Sequence, residues 1–284
     1  MTITEAIAEG ALVLGDAGVP KARREAGSLL AHALTCDRTF LITHDADALD
    51  TDALAQFREL VRRRATGEPF QYITGEQDFY GLAFEVTHDV LIPRPETELL
   101  VETALELLRE TPAPLVCDVG TGSGCIVVAF LHERHDARAY AIDVSAAALH
   151  VAARNAARHG ASERLQLFES DCFAALEAND GLRFAAILSN PPYVAERDIA
   201  GLQREVREHE PRVALTPGGD GLRVVRRLLA DAPRFLDAGG YLLFEIGFNQ
   251  HEAVADLIDP RTWTLLDVHK DLQGIPRIVA LRRE

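Results

Sequence analysis

Two short motifs contain the residues whose types and spacing suit a group transfer. One is a glycine-rich loop, Asp118–Gly124, and the other is the turn Asn190-Pro-Pro-Tyr193. Glycines let a backbone turn sharply and approach a nucleotide-like ligand closely. The turn has hydrogen-bond acceptors that could bind the N–H groups of a planar nitrogen, either an amide or an exocyclic amine. Together the motifs predict a site where a bound donor meets a nitrogen acceptor.

The turn is predicted to act by positioning, because an amide nitrogen is a poor nucleophile whose lone pair is delocalised into its carbonyl. The side-chain oxygen of Asn190 and the carbonyl of Pro191 are expected to accept from its N–H groups, which orients it and favours the charge that develops. Tyr193 is expected to stack on the flat group, and Pro192 stiffens the turn without adding an N–H. The alternative is an Asn-Pro turn that only ends a strand.

The glycine loop follows an apolar strand-like run and precedes a helix, which is the context a nucleotide-binding loop needs. Asp143 ends the next apolar run, roughly twenty residues on, where an acid binds ribose hydroxyls in dinucleotide-binding folds. These features fit a hydride cofactor as well as S-adenosylmethionine. The glycine spacing, which is not Gly-x-Gly-x-x-Gly, and the acidic Asp118 and Asp171 favour the second, because this donor is a cation without phosphate.

Residues 1–70 predict a small helical bundle, because apolar residues recur at helical intervals in short segments. We interpret the bundle as a substrate-recognition domain, with simple structural support as the alternative. Residues 71–90 are β-rich with turn glycines and predict a β-hairpin linker. The helical segments are 5–17, 21–34, 39–43 and 51–66.

Residues 91–284 predict an α/β catalytic domain, because apolar runs alternate with helical patterns after an opening helix that ends near Leu108. This alternation is typical of a mostly parallel sheet covered by helices on both faces. Two last runs, 263–268 and 277–281, predict an antiparallel hairpin that brings the sheet to seven strands. The other strands are expected at 115–119, 139–142, 165–168, 184–189 and 241–246, and helices at 125–133, 146–159 and 222–235.

The net charge of −15 argues against a non-specific grip on nucleic acid, which depends on neutralising phosphates with Lys and Arg. Arg62–Arg64 and Arg226–Arg227 are candidates for a local basic face, although solvated helix surfaces explain both. An acidic protein is better suited to a basic partner.

The cysteines show no Cys-x-x-Cys spacing, so we expect neither a metal site nor a disulfide framework. The first residues carry acids where a signal peptide needs positive charge, and no apolar run approaches the length of a membrane span. We therefore expect a cytoplasmic protein without a membrane partner. The cysteines are Cys36, Cys117, Cys125 and Cys172.

Over nearly its whole length the chain resembles the peptide chain release factor glutamine methyltransferases, also called the HemK or PrmC family. Asn-Pro-Pro-Tyr alone is shared with DNA adenine methyltransferases, and the segments around it make the resemblance specific. They are Phe79-Tyr-Gly81, Val90-Leu-Ile-Pro-Arg-Pro-Glu-Thr-Glu98, Asp118-Val-Gly-Thr-Gly-Ser-Gly-Cys-Ile126, Asp143-Val-Ser145, Ser170-Asp171, Ser189-Asn-Pro-Pro-Tyr193, Glu208-His-Glu-Pro211, Gly218-Gly-Asp-Gly-Leu222 and Asp271-Leu-x-Gly274.

The resemblance implies a Rossmann-like class I S-adenosylmethionine-dependent methyltransferase that acts in translation termination. Its substrate would be the side-chain amide nitrogen (N5) of glutamine in the Gly-Gly-Gln tripeptide of class I release factors. Catalysis is assigned to Asn190, Pro191 and Tyr193, and the same turn with Pro192 binds the acceptor. Cofactor contacts are assigned to Gly120, Thr121, Gly122, Ser123, Gly124, Asp143, Asp171, Cys172 and Asn190.

One residue departs from the family pattern. An aromatic residue often follows the Ser-Asp of the third strand in this family, near adenine, whereas this chain has Cys172. We expect donor binding to persist with different packing around adenine. The expected chemistry is in-line methyl transfer without a covalent enzyme intermediate or a strong base.

Three other functions are weighed against this one. An adenine-N6 methyltransferase of DNA or RNA shares the fold, donor and turn, but it needs a basic groove and contacts for a flipped base. A glutamine methyltransferase acting on a ribosomal protein differs mainly in its amino-terminal segment. A donor-binding regulator with an inert site is the non-enzyme alternative, and the intact turn at Asn190–Tyr193 argues against it. Sequence-specific binding of nucleic acid is not expected.

Overall fold

The computed structural model describes residues 1–179 and 181–284, which form two compact units. Unit 1 comprises Met1–Gly75 together with Gln203–His209, and unit 2 comprises Glu76–Leu202 and Glu210–Glu284.

Unit 1 is helical, as its sequence predicts, and its helices begin at side-chain caps. Thr2 and Glu5 form a reciprocal capping box at the start of the first helix, and Asp37 and Asp50 each accept from a backbone N–H at 2.7 Å. The apolar stripes of these helices meet in a core that includes Phe57. The helices are α1 (Ile3–Asp16), α2 (Ala22–Ala33), α3 (Arg38–Thr43), α4 (Thr51–Ala65), α5 (Phe70–Thr74) and α9 (Arg204–His209).

The structure differs from the sequence-based expectation at α5, because Phe70–Thr74 is a helix and not the start of a β-rich segment. Pro69 precedes it, where a proline suits a helix amino terminus, and Gly75 ends it at a φ of +79°. The hairpin that follows belongs to unit 2, where Phe79 and Phe84 are buried in the core.

Unit 2 contains a seven-stranded sheet, and its predicted architecture is confirmed. The strand order is β5-β4-β3-β6-β7-β9-β8, with parallel pairing from β5 to β7 and antiparallel pairing of β9 with both neighbours. The strands are β1 (Glu76–Phe79), β2 (Leu82–Glu85), β3 (Leu115–Val119), β4 (Arg138–Asp143), β5 (Leu165–Glu169), β6 (Phe184–Ser189), β7 (Leu236–Glu245), β8 (Trp263–Lys270) and β9 (Pro276–Arg283), with β1 and β2 forming a separate hairpin.

Helices cover both faces of this sheet, and each face has its own apolar cluster. One cluster contains most of the buried residues of α6 and α7, and the other contains those of α11. The helices of unit 2 are α6 (Glu98–Leu107), α7 (Cys125–Glu133), α8 (Ala146–Arg158), α10 (Arg212–Leu215), α11 (Arg223–Asp231) and α12 (His251–Ala255).

Candidate active site

A cavity of about 300 Å³ lies where the parallel strands end, and all of its lining residues belong to unit 2. The carboxyl ends of parallel strands meet at one edge of a sheet, which is where open α/β sheets bind ligands. Most of the predicted site residues therefore come together here. Those that line the cavity are Gly120, Thr121, Gly122, Ser123, Asp143, Asp171, Cys172, Asn190, Pro191 and Pro192.

The glycine loop keeps its shape through backbone conformations that other residues rarely adopt. Gly120, Gly122 and Gly124 have φ values of +76°, +55° and +80°. The N–H of Gly120 donates to the carbonyl of Ile142 at 2.8 Å, which joins the loop to the end of β4. Gly124 is not among the lining residues, and a methyl group there would lie 3.1 Å from Cβ of Ala152. Gly124 is therefore needed for the packing of α7 on α8.

Asp143 lines the cavity and binds the backbone of both the glycine loop and the segment that begins α8. Its Oδ2 accepts from the N–H of Gly122 at 2.8 Å, and its Oδ1 accepts from the N–H of Ser145 at 2.9 Å. Burial raises the pKa of this carboxyl group, and hydrogen bonds from the backbone oppose the rise. A carboxylate oxygen has more than one acceptor position. The predicted contact with ribose hydroxyls thus remains compatible with these bonds.

Asp118 is fully buried and does not line the cavity. Its Oδ2 accepts from the hydroxyl of Thr121 at 2.7 Å, whereas its Oδ1 has no hydrogen-bond partner within residues 1–179 and 181–284. The hydroxyl of Ser123, which does line the cavity, likewise lacks a partner among those residues. A cationic ligand stabilises the ionised form of a buried carboxyl group at this loop, whereas a pyrophosphate would be repelled by that form. The residues present therefore fit a cationic, phosphate-free donor.

The buried carboxyl group makes stability depend on pH. Burial raises the pKa of Asp118 from 3.8 to about 7. Because the folded protein holds this proton more tightly, the group's contribution to stability is complete below pH 3.8 and is lost as the pH rises to about 7. Asp118→Asn should remove this loss, so the variant gains stability relative to the native protein between these pH values. Urea unfolding across the interval measures the difference, and a constant difference would contradict the assignment.

The turn Asn190–Tyr193, predicted to bind the acceptor and called the acceptor turn below, follows the end of β6. There the hydroxyl of Ser189 donates to the carbonyl of Val119 at 2.7 Å. Asn190 follows and donates through Nδ2 to the hydroxyl oxygen of Thr97 at 3.1 Å. Tyr193 is not among the lining residues, and its hydroxyl donates to Oε1 of Glu245 at 3.2 Å. The proposed stacking of Tyr193 on an acceptor therefore stays a prediction.

The backbone of the turn is held by the segment that follows β7 and by the last residue of α10. The side-chain amide of Gln250 donates to the carbonyl of Tyr193 at 2.9 Å and accepts from the N–H of Gly247 at 2.8 Å. The N–H of Val194 donates to the carbonyl of Leu215 at 2.9 Å. These bonds hold the backbone at the end of the turn, and a held backbone is what catalysis by positioning requires.

An ion pair joins two of the segments that make the family resemblance specific. Arg94 Nη2 lies 2.5 Å from Oε1 of Glu210, whose side chain is almost fully buried. The other carboxylate oxygen accepts from the N–H of Ile92 at 3.2 Å. Arg94 also lines the cavity. The pair thus anchors the Pro-Arg-Pro segment beside the site.

Asp171 and Cys172 lie just after the end of β5. Asp171 forms an ion pair with Arg227 at 2.6 Å, and 70% of its side chain is exposed. Cys172 has a φ of +50°, and its carbonyl accepts from the hydroxyl of Ser170 at 2.6 Å. Both residues line the cavity, as the predicted donor contacts require.

Sequence reasoning missed Thr97, Glu245 and Gln250. For Glu245 the sequence did contain a signal, because this glutamate stands within the apolar run 241–246 and a buried charged residue needs polar partners. Across residues 1–179 and 181–284 there is no cluster of His, Cys, Asp and Glu that could hold a metal ion. Within the same residues no helix has both the length and the apolar character of a membrane span.

Two family models match the chain. The PrmC N-terminal domain model matches residues 5–75, and the Methyltransferase small domain model matches residues 95–222.

Several relatives match almost end to end, and each is called a release factor glutamine methyltransferase. The protein from Nitratidesulfovibrio vulgaris is 45% identical over 94% of this chain and 90% of its own length. That from Burkholderia pseudomallei is 47% identical over 89% of each chain. That from Koribacter versatilis is 41% identical over 100% of this chain and 99% of its own length.

Solved structures share the fold at low sequence identity. The hMettl16 catalytic domain in complex with MAT2A 3'UTR hairpin 6 aligns with a TM-score of 0.53 and 17% identity, over 78% of this chain and 81% of the other. A methyltransferase from Pyrococcus furiosus aligns with a TM-score of 0.50 and 15% identity, over 72% of this chain and 90% of the other. These likenesses concern the architecture of a methyltransferase domain.

Proposed function

Because the chain belongs to the release factor glutamine methyltransferase family, we propose that it methylates N5 of glutamine in the Gly-Gly-Gln tripeptide of class I peptide chain release factors. The methyl donor is S-adenosylmethionine. One observation carries the proposal: the glycine loop and the Asn190–Pro192 turn line the same cavity. Translation termination takes place in the cytoplasm, and we propose that the protein acts there.

The donor side of the site is assigned to the glycine loop, Asp143, Asp171 and Cys172. When bound, S-adenosylmethionine supplies an electrophilic methyl group on a sulfonium sulfur. Burial raises the pKa of Asp118 to about 7, and a bound cation nearby would favour the ionised form of this carboxyl group. Asp143 holds the loop through the N–H of Gly122, so its role is both structural and in ligand binding.

The acceptor side is assigned to Asn190, Pro191, Pro192 and Tyr193. The Oδ1 of Asn190 and the carbonyl of Pro191 accept from the N–H groups of the glutamine amide, which places its nitrogen for attack. The amide proton becomes acidic only as the nitrogen is alkylated, so solvent removes it late and no strong base is needed. This role agrees with a turn in which Thr97 holds the Asn190 side chain and Gln250 holds the carbonyl of Tyr193.

The experiment that tests the proposal offers labelled donor to the purified protein with a release factor, a ribosomal protein fraction or nucleic acid. Label is expected in the release factor, and mass mapping should place it on the tripeptide glutamine. A release factor with glutamate in place of that glutamine is the control and should stay unlabelled. Label in ribosomal protein, label in nucleic acid or no transfer would each overturn the proposal.

We also propose that unit 1 contributes to recognition of the release factor. The support is that every cavity-lining residue belongs to unit 2, so unit 1 contributes no residue to the cavity and is available for another role. Hydrogen exchange with and without the release factor tests this role. Protection of amides in α1–α4 would support it, and unchanged exchange there would contradict it.

A further inference from the structure

A buried carboxylate at the end of β7 connects the two polar side chains of the acceptor turn. Glu245 is 1% exposed, and its Oε2 accepts from the hydroxyl of Thr97 at 2.6 Å. Its Oε1 accepts from the hydroxyl of Tyr193 at 3.2 Å. Thr97, itself 1% exposed, also accepts from Nδ2 of Asn190 at 3.1 Å. The four side chains form one continuous hydrogen-bonded path.

The donors and acceptors along this path are fixed relative to one another, because each hydroxyl has only one proton to donate. Thr97 donates its proton to Glu245, so its oxygen meets Asn190 only as an acceptor. The side-chain N–H₂ of Asn190 must therefore face Thr97, and Oδ1 takes the opposite position. The two ends of an asparagine amide have nearly the same shape, so their orientation depends on such partners.

We infer that Glu245 and Thr97 are positioning residues that hold the Asn190 carboxamide with its oxygen available to the acceptor. This inference rests on the proposed function, in which that oxygen accepts from the glutamine N–H. A reversed Asn190 amide would present two donors to a group that is itself a donor. The orientation of one amide thus decides whether the turn binds the acceptor or repels it.

Burial raises the pKa of the Glu245 carboxyl group, and the hydrogen bonds that it accepts from Thr97 and Tyr193 oppose the rise. Arg277, itself paired with Asp271 at 2.9 Å, also opposes the rise, whereas Glu96 adds to it. Breaking one of the two hydroxyl contacts leaves a buried oxygen without a donor, which is costly.

Thr97→Val and Thr97→Ser form the matched pair that tests the inference. Valine has nearly the shape of threonine but cannot accept from Asn190, so kcat should fall about 10- to 100-fold. Serine keeps the hydroxyl and should restore kcat to within about threefold of the native value. The Kd for S-adenosylmethionine should change less than about threefold in both variants, because the donor loop is untouched. Equal kcat values for the two variants would overturn the inference.

A double-mutant cycle separates positioning from structural support. If Thr97 acts through Asn190, then Thr97→Val in an Asn190→Ala background should lower kcat no further. Multiplication of the two single effects would contradict the inference. Thermal unfolding of each variant shows whether the fold survives.

Glu245→Gln provides a second route if the valine variant does not fold. A glutamine amide cannot accept from Thr97 and Tyr193 as a carboxylate does, so the donors and acceptors along the path are no longer fixed and kcat should again fall at least about 10-fold. Unchanged turnover would overturn the inference. Failure of the proposed function is distinguishable, because the native protein would then leave the release factor unlabelled.

Discussion

Asn190→Ala is expected to lower kcat about 100- to 1,000-fold, which is the range found when a preorganised polar group at a reacting centre is removed. The Kd for S-adenosylmethionine should change much less, because the hydrogen bonds that hold the glycine loop, from Gly120 to Ile142 and from Gly122 to Asp143, do not involve Asn190. Labelled-donor turnover gives kcat, and calorimetry gives the Kd.

The control for this variant is Asn179→Ala, which removes the same carboxamide from an exposed position that does not line the cavity. It should leave turnover within about twofold of the native value. If Asn190→Ala itself stayed within about threefold, roughly 0.6 kcal/mol in the barrier, Asn190 would not have the assigned role.

Gly221→Ala is expected to lower kcat about 100-fold, because it displaces the acceptor turn. A methyl group on Gly221 would lie 2.2 Å from the carbonyl oxygen of Tyr193 and 3.1 Å from the backbone nitrogen of Ala195. Neither backbone atom can rotate away as a flexible side chain can. The overlap must therefore shift the turn, and a displacement of about 1 Å is enough to cost about two orders of magnitude in rate. Turnover of labelled release factor measures the effect.

Gly218→Ala is the matched control, because Gly218 has the same φ of +83° and a methyl group there meets no heavy atom within 4 Å. Both alanines experience the same backbone strain, about 1–2 kcal/mol of stability. Only Gly221→Ala also overlaps the turn. Equal losses of kcat in the two variants would mean that strain, and not displacement of the turn, explains the effect.

Local pattern predicted much of unit 2. The bounds of β3, α7 and β6 match their predicted runs, because a strand buried on both faces reads as a continuous apolar segment and glycines mark the loop between. The difference at β7 has a physical cause. It begins at Leu236 and not at Tyr241, since Asp237-Ala-Gly-Gly240 interrupts the apolar run while pairing with β6 continues through a register shift.

What the sequence determined by itself was the seven strands of the large sheet with the longer helices between them, the family, the cofactor and the two motifs that share the cavity. Tertiary structure alone decided how the acceptor turn is held. Thr97 and Glu245 are 148 positions apart, and Gln250 lies 57 positions from the carbonyl that it holds. Helical and strand periodicity report which side of an element is buried, and they carry no information about which distant polar groups meet there. The direction of the Asn190 amide is therefore a property of the folded protein.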